Sequence, residues 1–378
     1  MKAVETVLAL GAIAAGAALP AAAATAQTDG FFGGQHAVFV MTNDADSNEV
    51  WSYERLPNGT LLRPHRYLTT GRGSGGTVDP LGSQGSLTLS DDGQYLLAAN
   101  AGSGSVSVFR VFGERLLLTD REPSGGSEPN SIAQHGKLVY VLNTAGSSSV
   151  VGFRLLNGRL TRIADSQRFL SANFVNSGSV AFSDDGRYLV VTERTTNNID
   201  VFSVQPDGRL SPITVNHAVS AGTFSAVFAR NGAVIVSETG GGGPNSSTIS
   251  SYSITSGGKL LPISAGVPTL GAANCWNVVT PDGRFVYASN AGTSSISGFA
   301  IGGNGSLTAL PGTVVGTNPA GATNLDIAVS GDGAYLYSLN AGAGSIGIFK
   351  IEQDGHLTSF GTLAGLPAAA GLNGIAAN

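Results

Sequence analysis

The sequence predicts an all-β fold, a seven-bladed β-propeller whose first blade is closed by the C-terminal strand. Three observations carry this. A unit of four short strands recurs seven times, its closing Leu falling at 61, 116, 160, 210, 260, 307 and 357, a period of about 49 residues. The turns between strands are Asp-Gly or Asn-Gly pairs such as Asp92-Gly93, Asp185-Gly186 and Asn58-Gly59, which tolerate the positive φ that tight hairpins need. The first copy lacks an innermost strand, while the chain finishes in Leu372–Ala377, which reads as one.

Taken in order, residues 1–26 read as a secretory signal. Lys2 supplies a positive start, Val7–Leu19 an apolar run, and Ala24-Thr25-Ala26 a small-residue cleavage site. An exported protein of a bacterial periplasm or exterior is therefore expected. Residues 27–378 form one domain, with 27–35 as a lead-in. Each blade then runs A to D. Small residues fill strand A, as in Ser86–Ser90 and Ser179–Ser183, where seven strands converge. Strand B alternates around Tyr95–Ala99, strand C around Ser105–Phe109, and strand D follows the closing turn, as at Leu160–Ile163. Pairing the last strand with the first blade removes two exposed edges.

Composition excludes other classes. Gly is 54 of 378 residues, roughly twice the usual ~7%, without the period of collagen. A net charge of −5 argues against nucleic acid, and beyond the leader no apolar run reaches a membrane span. The single Cys275 forbids an intrachain disulfide and reads as a buried apolar residue. A monomer is expected.

Chain direction puts the B–C loops and D–A connections on a top face around the channel mouth. Function is expected there, because these loops vary while the bottom turns repeat. Most B–C loops carry Asn in one column: Asn43, Asn100, Asn143, Asn290 and Asn340. Glu193, followed by Arg194, and Glu238 break it. A second column opens strand A: Ser86, Asn130, Ser179, Ser225, Trp276 and Asp326, with one acid and one large aromatic. Asp326, Glu193, Glu238 and Arg194 are the expected catalytic residues, and Trp276, Asn130 and Arg72 the expected ligand contacts. Glu193, Glu238 and Asp326 with Asn130 could also hold Ca²⁺ or another hard cation. The structural alternatives are loop ion pairs for the glutamates, backbone amides bonded by Asp326, and a channel plugged by Trp276. Gly71–Gly76 matches G-x-G-x-x-G, but no helix follows, so no organic cofactor is expected; the segment reads as a flexible flap exposing Arg72.

The repeated S-x-D-G-[RQ]-[YF] and N-A-G-[ST]-x-S-[IV]-x-x-F segments, as in Ser90–Phe109 and Thr280–Phe299, resemble the seven-bladed propeller lactonases. That family includes bacterial 6-phosphogluconolactonase and the fungal 3-carboxy-cis,cis-muconate lactonising enzyme; the chain is also similar to YVTN-type repeats of secreted propellers. The resemblance implies hydrolysis of a lactone or small cyclic ester, a small sugar-acid type of ligand, and less readily a lactonising cyclase. Where the family carries a G-P-R-H-like segment this chain has Asn176–Ser179, and a second His-bearing segment is Glu128–Ser131. Arg194 stands where the family has Glu. Val191–Asp200 matches V-T-E-[RK]-x-T-N-x-I-D of exported lactonase-like proteins. A non-catalytic ligand- or protein-binding scaffold is the alternative.

Overall fold

The computed structural model describes Met1, residues 36–241 and residues 243–378; the expected signal segment and lead-in lie outside these. Seven antiparallel sheets make up the described residues. Strand A of each, counted from blade 1, is Ile375–Ala377, Leu87–Leu89, Pro129–His135, Ser177–Phe182, Thr223–Phe228, Asn274–Val279 and Asn324–Val329. Six sheets have four strands in the order A-B-C-D. In blade 3 the outer strand is split into Arg159–Arg162 and Arg168–Phe169, both on strand C. Ser166 causes the break: its hydroxyl accepts from the Gly152 amide and donates to the Gly152 carbonyl, each at 3.1 Å, where strand D would otherwise pair.

The repeated motif has a direct cause in the A–B turn. Ser90 Oγ donates to Asp92 at 2.7 Å and accepts from the Tyr95 amide at 2.9 Å, while Gly93 takes φ +65°. Ser183/Asp185, Thr280/Asp282 and Ser330/Asp332 repeat the arrangement. Between blades, a Tyr on strand B donates to a Gly carbonyl in the next blade's C–D turn. Tyr140 reaches Gly208 at 2.6 Å, Tyr287 reaches Gly355 at 2.8 Å, and Tyr337 reaches Gly59 at 3.2 Å. The last of these joins blade 7 to blade 1, beside an Arg55–Asp332 ion pair of 2.6 Å.

Ring closure follows the sequence expectation. Ile375, Ala376 and Ala377 pair with Val40, Phe39 and Val38. Strand A alternates less regularly than the repeat suggests. In blades 3 to 7 it carries a register shift near its upper end, between Pro129/Ser131, Ser177/Ser179, Thr223/Ala226, Asn274/Trp276 and Asn324/Ile327. A bulge re-aims the side chains on either side of it. These five bulges lie around the top of the channel.

The Gly-rich connection is not a free flap. Asn43 Nδ2 donates to Ser74 Oγ at 2.9 Å and its Oδ1 accepts from the Ser74 amide at 3.0 Å, and the Ser103 amide donates to the Arg72 carbonyl. A Cβ on Gly73 would lie 2.1 Å from the Asn43 carbonyl carbon, so only glycine allows this approach. Arg72 is exposed on the outside of this strap. Gly73→Ala is expected to cost about 1–3 kcal/mol, the usual range for forced overpacking, measured by denaturant unfolding.

Candidate functional site: the top mouth of the channel

The connection entering blade 2 continues beyond this strap into the channel. Ser83 Oγ donates to the Asn130 carbonyl at 2.6 Å, and the Gln84 amide donates to the Gly178 carbonyl at 2.9 Å. The Gln84 side chain crosses to blade 6, donating to the Asn277 carbonyl at 2.8 Å and accepting from its amide at 3.0 Å. Trp276 donates its indole N–H to the Ser83 carbonyl at 2.8 Å. One segment thus bonds to strands A of blades 3, 4 and 6 and bridges the channel.

Above this bridge lies a cluster of polar groups. Arg194 projects inward from the blade 4 B–C loop, its guanidinium 4.5 Å from the centre of the Phe224 ring and its Nη1 donating to the Gly82 carbonyl at 3.2 Å. Phe224 in turn packs on Trp276 at 5.0 Å between ring centres. Asp79 sits at the start of the bridging segment, with φ +44° and its Oδ1 accepting from Asn373 Nδ2 at 3.2 Å. Burial pushes the Asp79 carboxyl up to about 7, against the pull of Arg194, Asn373 and the Gly82 and Ser83 amides. Asp326, 3% exposed, accepts from the amides of Ile327 at 3.0 Å and Ile375 at 3.4 Å. Burial raises it also to about 7, and the nearby Asp79 charge adds to this. Cys275 is buried, its thiol pushed up by burial and then by Asp79.

The expected site residues therefore divide. Arg194 and Asp326 come to the mouth, the latter as a strand-to-strand latch. Trp276 is fully buried beneath Phe224, and Asn130 is fully buried, donating to the Ser177 carbonyl at 2.8 Å. Glu193 and Glu238 lie inside their own blades, both at 0% exposure. Glu238 accepts from Thr248 at 2.6 Å and Ser250 at 2.8 Å; burial raises its pKa against those bonds. The cation set drawn from both glutamates and Asp326 does not assemble: among the described residues no three His, Cys, Asp or Glu converge.

Asp79 escaped the column argument because it belongs to no repeat. Its sequence signal is slight: it is the sole acid between Thr69 and Gly85, and Pro80 follows it. The underside of the molecule holds a separate recess of about 570 Å³, whose lining includes Asp91, His135, Phe182, Asp184, Phe228 and Arg230. Asp91, His135, Asp184 and Arg230 occupy one column of the bottom turns, on blades 2 to 5 in succession.

Comparison with known proteins agrees with this architecture. The profile of the family "Lactonase, 7-bladed beta-propeller" matches residues 30–177. The 6-phosphogluconolactonase of Yersinia pestis (strain Pestoides F) is 26% identical over 153 residues, 38% of this chain and 46% of that protein. The match thus spans about half the length of this curated relative. Two solved structures share the fold nearly throughout. One, from Bacteroides uniformis and proposed to be a 6-phosphogluconolactonase, has a TM-score of 0.71 at 19% identity, covering 91% of this chain and 99% of that one. The other, the periplasmic gluconolactonase PpgL of Pseudomonas aeruginosa, has 0.67 at 17% identity, covering 90% and 99%. Blade count, ring closure and profile agree: residues 30–177 are similar to the seven-bladed β-propeller lactonases, and the chain as a whole shares their fold.

Proposed function

We propose that the protein is an exported, monomeric hydrolase that opens a lactone of the sugar-acid type at its top mouth. The observation that carries this is Asp79. It is a carboxyl at a strained φ, above the bridged channel, poised near neutrality by burial and without an ion pair to Arg194. Asp79 in its ionised form takes a proton from water as the water attacks the ring carbonyl. Arg194, braced on Phe224, offers N–H groups to the oxygen that gains charge. Asp326 supplies a second negative group beside them. The relatives named for gluconolactone and 6-phosphogluconolactone hydrolysis support this substrate class, and the periplasmic one supports export.

A base of this kind acts above its pKa, so kcat/KM is expected to rise through pH 7 and then level. Asp79→Asn should lower turnover on the order of 10²–10⁴-fold without lowering the melting temperature. The assay is a panel of sugar-acid, aliphatic and aromatic lactones, run with Asp79→Asn and Arg194→Met beside the parent. Full activity in both variants would move the site elsewhere.

A binding scaffold is the second reading. The Gln84–Asn277 bridge closes the channel below the mouth, and the underside offers a separate recess of about 570 Å³. A parent protein that opens no lactone above background would favour it.

A further inference from the structure

We infer that Asp200 is a neutral carboxylic acid that donates its proton to Glu193, and that this shared proton fixes the loop presenting Arg194. In blade 4, strand B (Tyr188–Glu193) and strand C (Asn198–Ser203) pair Glu193 with Asn198 and Val191 with Asp200. That register puts Glu193, Asn198 and Asp200 on one face of the sheet. Glu193 and Asp200 are both 0% exposed. Glu193 is well supplied with donors: the Ser171 amide at 2.8 Å, Asn198 Nδ2 at 3.2 Å, and the hydroxyls of Ser171 and Thr196. Both oxygens of Asp200 are buried without a partner of hydrogen-bond geometry, and the Ser171 amide that pulls on its charge is already bonded to Glu193. A buried carboxylate with no donor is severely penalised, and the least costly remedy is to keep the proton.

Three other blades place a side-chain donor at this position. Its equivalents are Ser107 in blade 2 and Ser297 in blade 6, which donate to the Thr69 and Thr269 carbonyls at 2.7 and 2.6 Å. In blade 5 it is Ser250, which donates to Glu238. In those three blades the position is a side-chain donor, whereas blades 1, 3 and 7 carry Val50, Val151 and Gly347 there; an aspartate can act as the donor only when protonated. Burial, then the hydrogen bond and charge of Glu193, raises Asp200 to about 9. Glu193 is lowered: burial opposes this, but the bonds from Asp200, Ser171 and Thr196 outweigh it.

The elements packed around the pair bring no cation to it. Arg168, on the connection before Ser171, spends its guanidinium on the carbonyls of Leu210, Ser211, Asp165 and Gln167. His217, paired with Asn198 from strand D, is exposed, and Arg194 turns toward Phe224. Glu193, next to Arg194, also ties Thr196 and Asn198 of the same loop to Ser171 of the preceding connection. Asp200 is thus a positioning residue for the top mouth. The shared proton itself does not depend on lactone hydrolysis.

The test is made on the full chain. The native state carries a proton that the unfolded chain releases near pH 4, so stability should fall as pH rises from about 4 to 9 and level above. In that window the unfolding constant should gain up to about tenfold per pH unit from this group. The side-chain ¹³C resonance of Asp200 should titrate near pH 9. Asp200→Asn and Asp200→Ser, which keep a donor without the titration, should melt near the parent at about pH 4, melt above it at pH 7, and lose that component of the pH slope. A resonance titrating in the ordinary carboxyl range near pH 4 would overturn the inference. So would an unchanged slope in both variants, or a parent whose melting falls with chelator and recovers with calcium, which would put a cation there. Should both variants fail to fold, the parent resonance decides alone.

Discussion

Removal of residues 372–378 is expected to abolish cooperative folding. The segment buries Leu372 completely and Ile375 to 4% exposure. Each side chain is worth about 1.5–3 kcal/mol by area. Its backbone supplies the bonds Met41 to Gly374, Asn373 to Met41 and Asn378 to Ala37, at 3.1 to 3.3 Å, and Asn378 Oδ1 accepts from the Ala37 amide at 2.7 Å. Truncation also strips the buried Asp326 carboxyl of its Ile375 donor and leaves strand B of blade 1 as an open edge. Together these losses reach about 5 kcal/mol or more, comparable with the whole stability of many domains. Calorimetry should show no sharp transition, and light scattering should show aggregation. A truncated chain that melts like the parent would mean blade 1 is held by Tyr337–Gly59 and Arg55–Asp332 alone.

Trp276→Ala should be the most damaging single substitution at the channel mouth. The indole is at 0% exposure, against Phe224 and bonded to the Ser83 carbonyl. Replacing a buried Trp by Ala typically costs 3–5 kcal/mol. The loss should fall in two places. The bridging segment loses its bond to blade 6 through Ser83, and Phe224 loses the wall that holds it beneath Arg194. Melting should drop sharply and any lactone KM should rise. Trp276→Phe, which keeps most of the volume but not the N–H, should recover packing and leave the Ser83 carbonyl unpaired. Equal melting of parent and Trp276→Ala would show that the Gln84–Asn277 bonds suffice to anchor the bridge to blade 6.

The column argument read the mouth only in part, for physical reasons. The Asn column is structural: Asn100 and Asn290 each donate to a serine on strand C of their own blade at 2.8 Å. Glu193 and Glu238 occupy that same buried position, so a break in the column marked a change in internal bonding rather than a group facing a ligand. Trp276 broke the second column because something large had to fill the channel. Arg194 was found as the neighbour of the Glu193 break, and it reaches the mouth because its long side chain can leave the loop that Glu193 anchors.

The sequence by itself determined the blade number, the hairpin turns and the closing strand. These depend on local chemistry that repeats every blade: Ser and Asp capping a turn, Gly at positive φ, alternation along a strand. The tertiary structure alone decided which side chains meet. The five bulges in strand A shift the alternation just where residues turn toward the axis. Asp79 and Gln84 reach the channel from a connection that belongs to no repeat. Asp79, Arg194 and Asp326 come from distant parts of the chain, and only closure of the ring brings them around one opening, where burial raises the two carboxyls.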